Sequence, residues 1–123
     1  MTKVLIADDE REVSDFLAEA LSERYSLSVA YDGEQALTAL TVTDPDVVIL
    51  DVRMPKLDGI AVAEQDIRRM KGAARRGYIL ISAYLDRGAL ERWLALFDEP
   101  LFFSKPVALE TLIRAIDSFR DGV

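Results

Sequence analysis

The chain has 123 residues, a formal net charge of −7, 50% hydrophobic residues and neither cysteine nor histidine. One domain fits that length, and the missing residue types exclude disulfides, cysteine zinc sites, imidazole ligands, Ser-His-Asp triads and phosphohistidine. The acidic balance argues against non-specific binding to nucleic acid or to an anionic membrane. No apolar run reaches the roughly 18 residues of a membrane span and no signal-peptide core follows the N-terminus, so a cytoplasmic protein is expected.

In chain order, "KVLIAD" (3–8) reads as a buried strand. The next segment, 11–24, has Val13, Phe16, Leu17, Ala20 and Leu21 at helical spacing. A second strand is predicted over 26–31, then a helix over 33–42 built on Ala36, Leu37 and Leu40. The third strand is "DVVILD" (46–51), followed by a helix near 60–71. "YILIS" (78–82) and a helix near 86–97 come next, then "LFFS" (101–104). Leu109, Leu112, Ile113 and Ile116 form the stripe of a last helix. Alternation of five strands and five helices implies parallel βαβ units with right-handed crossovers. Near-continuous apolar strands imply a sheet covered on both faces. The expected fold is α/β, flavodoxin-like and doubly wound, strand order 2-1-3-4-5, its switch point between strands 1 and 3.

Ligands of such sheets bind beyond the carboxyl ends of the strands. Strand 1 ends in Asp8-Asp9-Glu10, strand 3 in Asp51, strand 4 in Ser82, and strand 5 runs into Lys105-Pro106. Four tips therefore bring carboxylates, a hydroxyl and an ammonium to one place. Taken singly, Asp8, Asp9 and Glu10 read as caps of the first helix, Ser82 as a strand-end hydroxyl and Lys105 as a solvated lysine. Taken together, the clustered acids repel and call for a cation. An all-oxygen ligand set selects Mg²⁺, Mn²⁺ or Ca²⁺ over Zn²⁺, with Mg²⁺ the usual choice. A metal and a lysine beside a free carboxylate are the parts needed for phosphoryl transfer to aspartate.

"LIADDE" (5–10), "DVRMPKLDG" (51–59), "ISA" (81–83) and "FFSKP" (102–106) stand in an order and spacing that resembles the receiver (CheY-like) domains of two-component response regulators. The resemblance runs over essentially the whole chain. It implies Asp51 as phosphoacceptor, supplied by a sensor histidine kinase or a histidine phosphotransfer protein. It further implies Asp9 as a direct Mg²⁺ ligand, Asp8 as one acting mostly through water, and metal contacts from Asp51 and the Arg53 carbonyl, with Mn²⁺ an acceptable substitute. Ser82 and Lys105 would bind phosphoryl oxygens, Lys105-Pro106 would be cis, and Phe102 would join Ser82 in the switch. Arg53 and Tyr84 would tune phosphoryl lifetime, and their bulk predicts slow self-dephosphorylation. The output face would be helix 4–strand 5–helix 5, open to a second copy on phosphorylation.

Beyond the bulky Arg53 and Tyr84, two further departures from the family pattern and two surface features stand out. Ser82 replaces the more frequent threonine, and Asp98-Glu99-Pro100 replaces a Gly-Ala turn, with Glu99 biased to extended geometry by the proline. The basic run "RRMKGAARRG" (68–77) is expected to be a solvated face. "WLALF" (93–97) cannot turn five apolar side chains to one core, so helix 4 ends early or Trp93, Leu96 and Phe97 contribute to a partner face.

The sequence-level expectation is a single receiver domain over 1–123 with no effector domain: a phosphorylation switch rather than an enzyme, catalysing only its own phosphorylation and dephosphorylation. Alternatives are a phosphorelay shuttle, a pseudo-receiver binding module, or a Mg²⁺-dependent phosphohydrolase, whose Asp-x-Asp-x-Thr pattern after strand 1 is missing.

Overall fold

The computed structural model describes residues 1–70 and 76–121. Five strands, β1 (Lys3–Ala7), β2 (Ser26–Ala30), β3 (Val47–Asp51), β4 (Gly77–Ser82) and β5 (Leu101–Ser104), alternate with five helices. The helices are α1 (Arg11–Leu21), α2 (Gly33–Thr43), α3 (Gly59–Arg69), α4 (Arg87–Leu94) and α5 (Leu109–Asp121). The sheet is parallel in the order β2-β1-β3-β4-β5, as the alternation predicts.

Side chains alternate between the two faces of each strand. Leu5, Ala7, Val48, Leu50 and Leu80 point to one side, where Ala36, Leu40, Ile60, Val62, Ala63 and Trp93 cover them. Val4, Ile6, Val47, Ile49, Ile79 and Ile81 point to the other, against Leu17, Leu21, Leu112, Ala115 and Ile116. Each large aliphatic buried this way contributes about 1.5–3 kcal/mol, so the central strands anchor both halves of the core. Three helices start from aspartate caps: Asp32, Asp58 and Asp86 accept from the backbone N–H of Gln35, Ala61 and Ala89.

Two expectations about helices change. In α1 the buried stripe is Ser14, Leu17 and Leu21, while Val13 and Phe16 face solvent, Phe16 being 66% exposed. Phe16 sits about 100° round the helix from Leu17, and Ser14 takes the inward place because its hydroxyl is satisfied by the Asp8 and Glu10 carbonyls at 3.1 and 3.0 Å. In "WLALF" the helix ends early, at Leu94. Trp93 is fully buried, donates its indole N–H to the Leu101 carbonyl at 3.1 Å and packs against the Phe97 ring, tilted by 60° with 4.7 Å between ring centroids. Trp93 is therefore core and does not belong to a partner face. Leu96 and Phe97 are half-buried against the same cluster, and the exposed apolar residues of this region are Leu94 and Phe102.

The basic run is also not simply solvated. The Arg76 side chain is buried, donating through Nε to the fully buried Asp66 carboxylate at 2.9 Å and through Nη1 to the Pro45 carbonyl at 2.8 Å. Arg69 and the Tyr78 hydroxyl share the same carboxylate at 2.6 and 2.5 Å. The middle of the run, 71–75, lies outside the described residues. No helix among the described residues is long and apolar enough to cross a membrane.

Candidate functional site

Register places the acids. Ala7 pairs with Leu50, so the next residues, Asp8 and Asp51, leave neighbouring strands at the same level. Asp51 pairs with Ile81, and Ser82 with Ser104, one residue before Lys105. The β3 tip is pinned by the Val52 N–H to the Ile81 carbonyl at 3.2 Å, and the β5 tip by the Lys105 N–H to the Ser82 carbonyl at 2.9 Å. Gly59 packs so closely beneath that a Cβ there would lie 2.1 Å from the Asp51 carbonyl oxygen. The carboxylate thus rides on a strand that cannot shift along its neighbours.

Carboxylate oxygens of Asp8, Asp9 and Asp51 gather within 4.8 Å of one another. Asp8 and Asp51 are buried and Asp9 is exposed. The Lys105 ammonium reaches Asp8 Oδ2 at 2.8 Å, Glu10 Oε1 at 3.0 Å and Asp51 Oδ2 at 3.2 Å. The Lys105-Pro106 peptide is cis. Burial, then the Asp8 charge, push the Asp51 carboxyl up to about 6, with Lys105 opposing. Burial alone would lower the Lys105 ammonium, but hydrogen bonds to Asp8 and Glu10 and the Asp51 charge hold it above the usual lysine range. One ammonium among four carboxylates leaves the site strongly negative. Three of those carboxylates form an oxygen-only cluster, and that fits a hard divalent cation such as Mg²⁺.

Ser82 lies at the edge of this cluster with its hydroxyl engaged in its own loop. Its Oγ donates to the Tyr84 carbonyl at 2.5 Å and accepts from the Tyr84 N–H at 3.1 Å. The Arg53 guanidinium stands 5.6 Å over the exposed Tyr84 ring, so the two residues meet beside the mouth of the site. Phe102 is 42% exposed and borders a cavity of about 240 Å³ with Leu80, Ser82, Leu85, Leu90 and Phe103.

Several contacts were not anticipated. Glu10 is the N-cap residue of α1 but makes no side-chain capping bond; its carboxylate turns to Lys105 instead. Asp8 takes the capping role in part, accepting from the Glu10 N–H at 3.0 Å. Arg92 of α4 bridges to Asp58 at 3.2 Å and to Glu64 of α3 at 2.7 Å, beside an open groove lined by Asp9, Arg53, Asp58 and Asp86. The Glu10–Lys105, Arg92–Asp58 and Arg92–Glu64 pairs join residues distant in sequence, and local pattern carries no sign of them.

A doubly wound α/β domain with acidic strand tips and a lysine meeting at its switch point is the class that fold and site define. The chain belongs to the response regulator receiver domain family, whose model matches residues 4–117. It is 36% identical over 118 residues to the response regulator MprA of Mycolicibacterium vanbaalenii and 35% identical to that of Mycobacterium avium. In both cases 90% of this chain aligns with 47% of the relative, so the chain spans about half the length of these curated relatives. Among solved structures, the N-terminal domain of an uncharacterized protein from Wolinella succinogenes superposes with a TM-score of 0.87 at 30% identity, covering 98% of this chain and 95% of that one. The receiver domain of the Francisella response regulator 1452 does so with a TM-score of 0.82 at 27% identity over the whole of both chains. A CheY-like receiver domain from Methanospirillum hungatei shares the fold, with a TM-score of 0.86 at 18% identity, over 100% of this chain and 99% of that one.

Proposed function

We propose that the protein is a phosphorylation-activated switch of a two-component system, with Asp51 as the phosphoacceptor. The observation that carries this reading is the buried Asp51 carboxylate held 3.2 Å from the Lys105 ammonium and inside the Asp8–Asp9 cluster. An Asp51 carboxylate oxygen attacks the phosphorus of a phosphohistidine on a sensor kinase or a histidine phosphotransfer protein. The O–P bond forms, the P–N bond breaks, and the imidazole leaves with its electron pair. Lys105 neutralises a phosphoryl oxygen as charge spreads over the transferring group. Asp8, Asp9, Asp51 and the Arg53 carbonyl would hold Mg²⁺, which supplies further neutralisation of phosphoryl charge when bound. Dephosphorylation is attack of water on the same phosphorus, releasing phosphate and restoring the carboxylate.

Ser82 then exchanges its bonds to Tyr84 for one to a phosphoryl oxygen. Phe102 turns toward the cavity behind Ser82, altering the face formed by α4, β5 and α5. This is a shift between two populated conformations, driven by charge added at one point. Leu94 and Phe102 are the apolar residues that this face offers to a partner or to a second copy. The site of action is the cytoplasm, where phosphohistidine donors act. Incubation with acetyl phosphate and Mg²⁺ followed by intact mass measurement tests the reading. A single phosphoryl adduct is expected, and none on Asp51→Asn.

A further inference from the structure

We propose that Glu10 is a positioning residue that holds Lys105 in the resting protein and gives it up when a phosphoryl group arrives on Asp51. The proposal rests on the phosphoacceptor reading above. A lysine ammonium has three donors and no acceptor. In the resting site all three are taken, by Asp8 Oδ2 at 2.8 Å, Glu10 Oε1 at 3.0 Å and Asp51 Oδ2 at 3.2 Å. The terminal oxygens of a phosphoryl group are further acceptors, so Lys105 must break at least one bond to reach them.

The three bonds are not equally easy to break. The Asp8 side chain is fully buried, and losing its cation would strand a charge away from water. Esterification weakens the Asp51 bond, the longest of the three, so Lys105 follows the group carried there. The next bond to yield decides how far it moves onto the phosphoryl oxygens. The Glu10 side chain is 60% exposed, and its carboxylate returns to water at little loss. Nothing else in the helix start uses it, because the N-cap position makes no side-chain capping bond. Its backbone is nevertheless fixed: the N–H goes to Asp8 Oδ1, and the carbonyl accepts from the Val13 and Ser14 N–H groups. The reach to Lys105 therefore depends on side-chain length, and a side chain one methylene shorter loses the contact while keeping the charge.

Glu10→Gln, Glu10→Asp and, as a control, Glu12→Gln separate contact from charge, Glu12 being an exposed acid in the same first turn. In the free protein, the Lys105 ¹⁵Nζ resonance moves in both Glu10 variants and stays in place in Glu12→Gln. With Mg²⁺ present, both Glu10 variants bind beryllium trifluoride, a phosphoryl mimic, more tightly than wild type by about three- to fivefold, the size of a lost exposed ion pair. Glu12→Gln stays within about twofold of wild type. Wild-type affinity in Glu10→Asp, with tighter binding in both glutamine variants, would mean that net charge alone is responsible and would overturn the proposal. Weaker binding by the Glu10 variants would overturn it too. A wild-type protein that takes up no beryllium trifluoride at all, while the Lys105 resonance behaves as described, would instead overturn the phosphoacceptor reading and with it the exchange.

Discussion

Asp51 and Asp8 leave adjacent strands at the same level, and Lys105 spans them, 3.2 Å from one carboxylate and 2.8 Å from the other. Two buried acids sharing one ammonium is an arrangement that burial and mutual repulsion disfavour in its fully ionised form. Burial is the larger influence on Asp51, and the Asp8 charge adds to it.

This has a consequence for stability. The folded protein holds the Asp51 proton up to about pH 6, whereas an ordinary aspartate releases it near 3.8. Between those values the folded state binds more protons than the unfolded one, so stability falls as pH rises through that window. The penalty is complete at pH 7. Asp51→Asn removes it, and urea denaturation at pH 7 without divalent metal is expected to show a gain on the order of 1–3 kcal/mol. The gain should shrink toward pH 4. A variant less stable than wild type at pH 7 would mean that the bond to Lys105 outweighs the repulsion.

Arg53 stands over the Tyr84 ring at 5.6 Å, and on the phosphoacceptor reading this pair would hinder attack by water on the phosphoryl group. The phosphorylated wild-type protein is expected to hold its phosphoryl group about tenfold longer than the Arg53→Ala/Tyr84→Ala double mutant, equal to about 1.4 kcal/mol of barrier. The measurement is loss of label from purified phosphoprotein. Equal half-lives would remove the stacked pair from any role in lifetime.

Gly59 is required by space. A methyl group there would meet the Asp51 carbonyl oxygen at 2.1 Å and the Leu50 Cβ at 3.2 Å, and the first of these is backbone in a central strand. Gly59→Ala is expected to lose about 3 kcal/mol in urea denaturation and to weaken Mg²⁺ binding through displacement of the β3 tip. Unchanged stability with unchanged metal affinity would show that the loop absorbs the methyl group.

The Asp66 cluster makes a different stability prediction. Asp66→Ala leaves the buried Arg76 guanidinium without its main partner and is expected to cost about 3–5 kcal/mol. Tyr78→Phe removes one hydrogen bond while Arg69 and Arg76 still satisfy the carboxylate, and should cost about 1 kcal/mol. Similar losses from both variants, measured by thermal or urea unfolding, would contradict the view that Asp66 chiefly serves the arginines.

The parts of this molecule that were legible in its sequence are those fixed by local pattern. Val47 to Leu50 are apolar without interruption because β3 is covered on both faces, and the acid that follows marks the strand tip at once. Strand order and the meeting of Asp8, Asp51 and Lys105 were expected from the common order of five-stranded doubly wound sheets, which the structure has. Helix faces were less legible, because Phe16 and Leu17 fit an apolar stripe almost equally well; the choice of Ser14 over Phe16 depended on carbonyls that only the fold brings within reach. The same holds for "WLALF", where the Leu101 carbonyl and the Tyr78 ring draw Trp93 and Phe97 inward. Glu10 and Lys105 are 95 positions apart, and an N-cap glutamate looks alike whether it caps or reaches away.

The central claim is that Asp51, and no other acid of the cluster, receives the phosphoryl group. Treatment with acetyl phosphate and Mg²⁺, reduction with borohydride and peptide mapping test it directly, because an acyl phosphate is reduced to the alcohol at the residue that carried it. The account predicts reduction at Asp51 alone, absent when acetyl phosphate or Mg²⁺ is omitted. Reduction at Asp8 or Asp9, or none in wild-type protein that retains its fold, would contradict it.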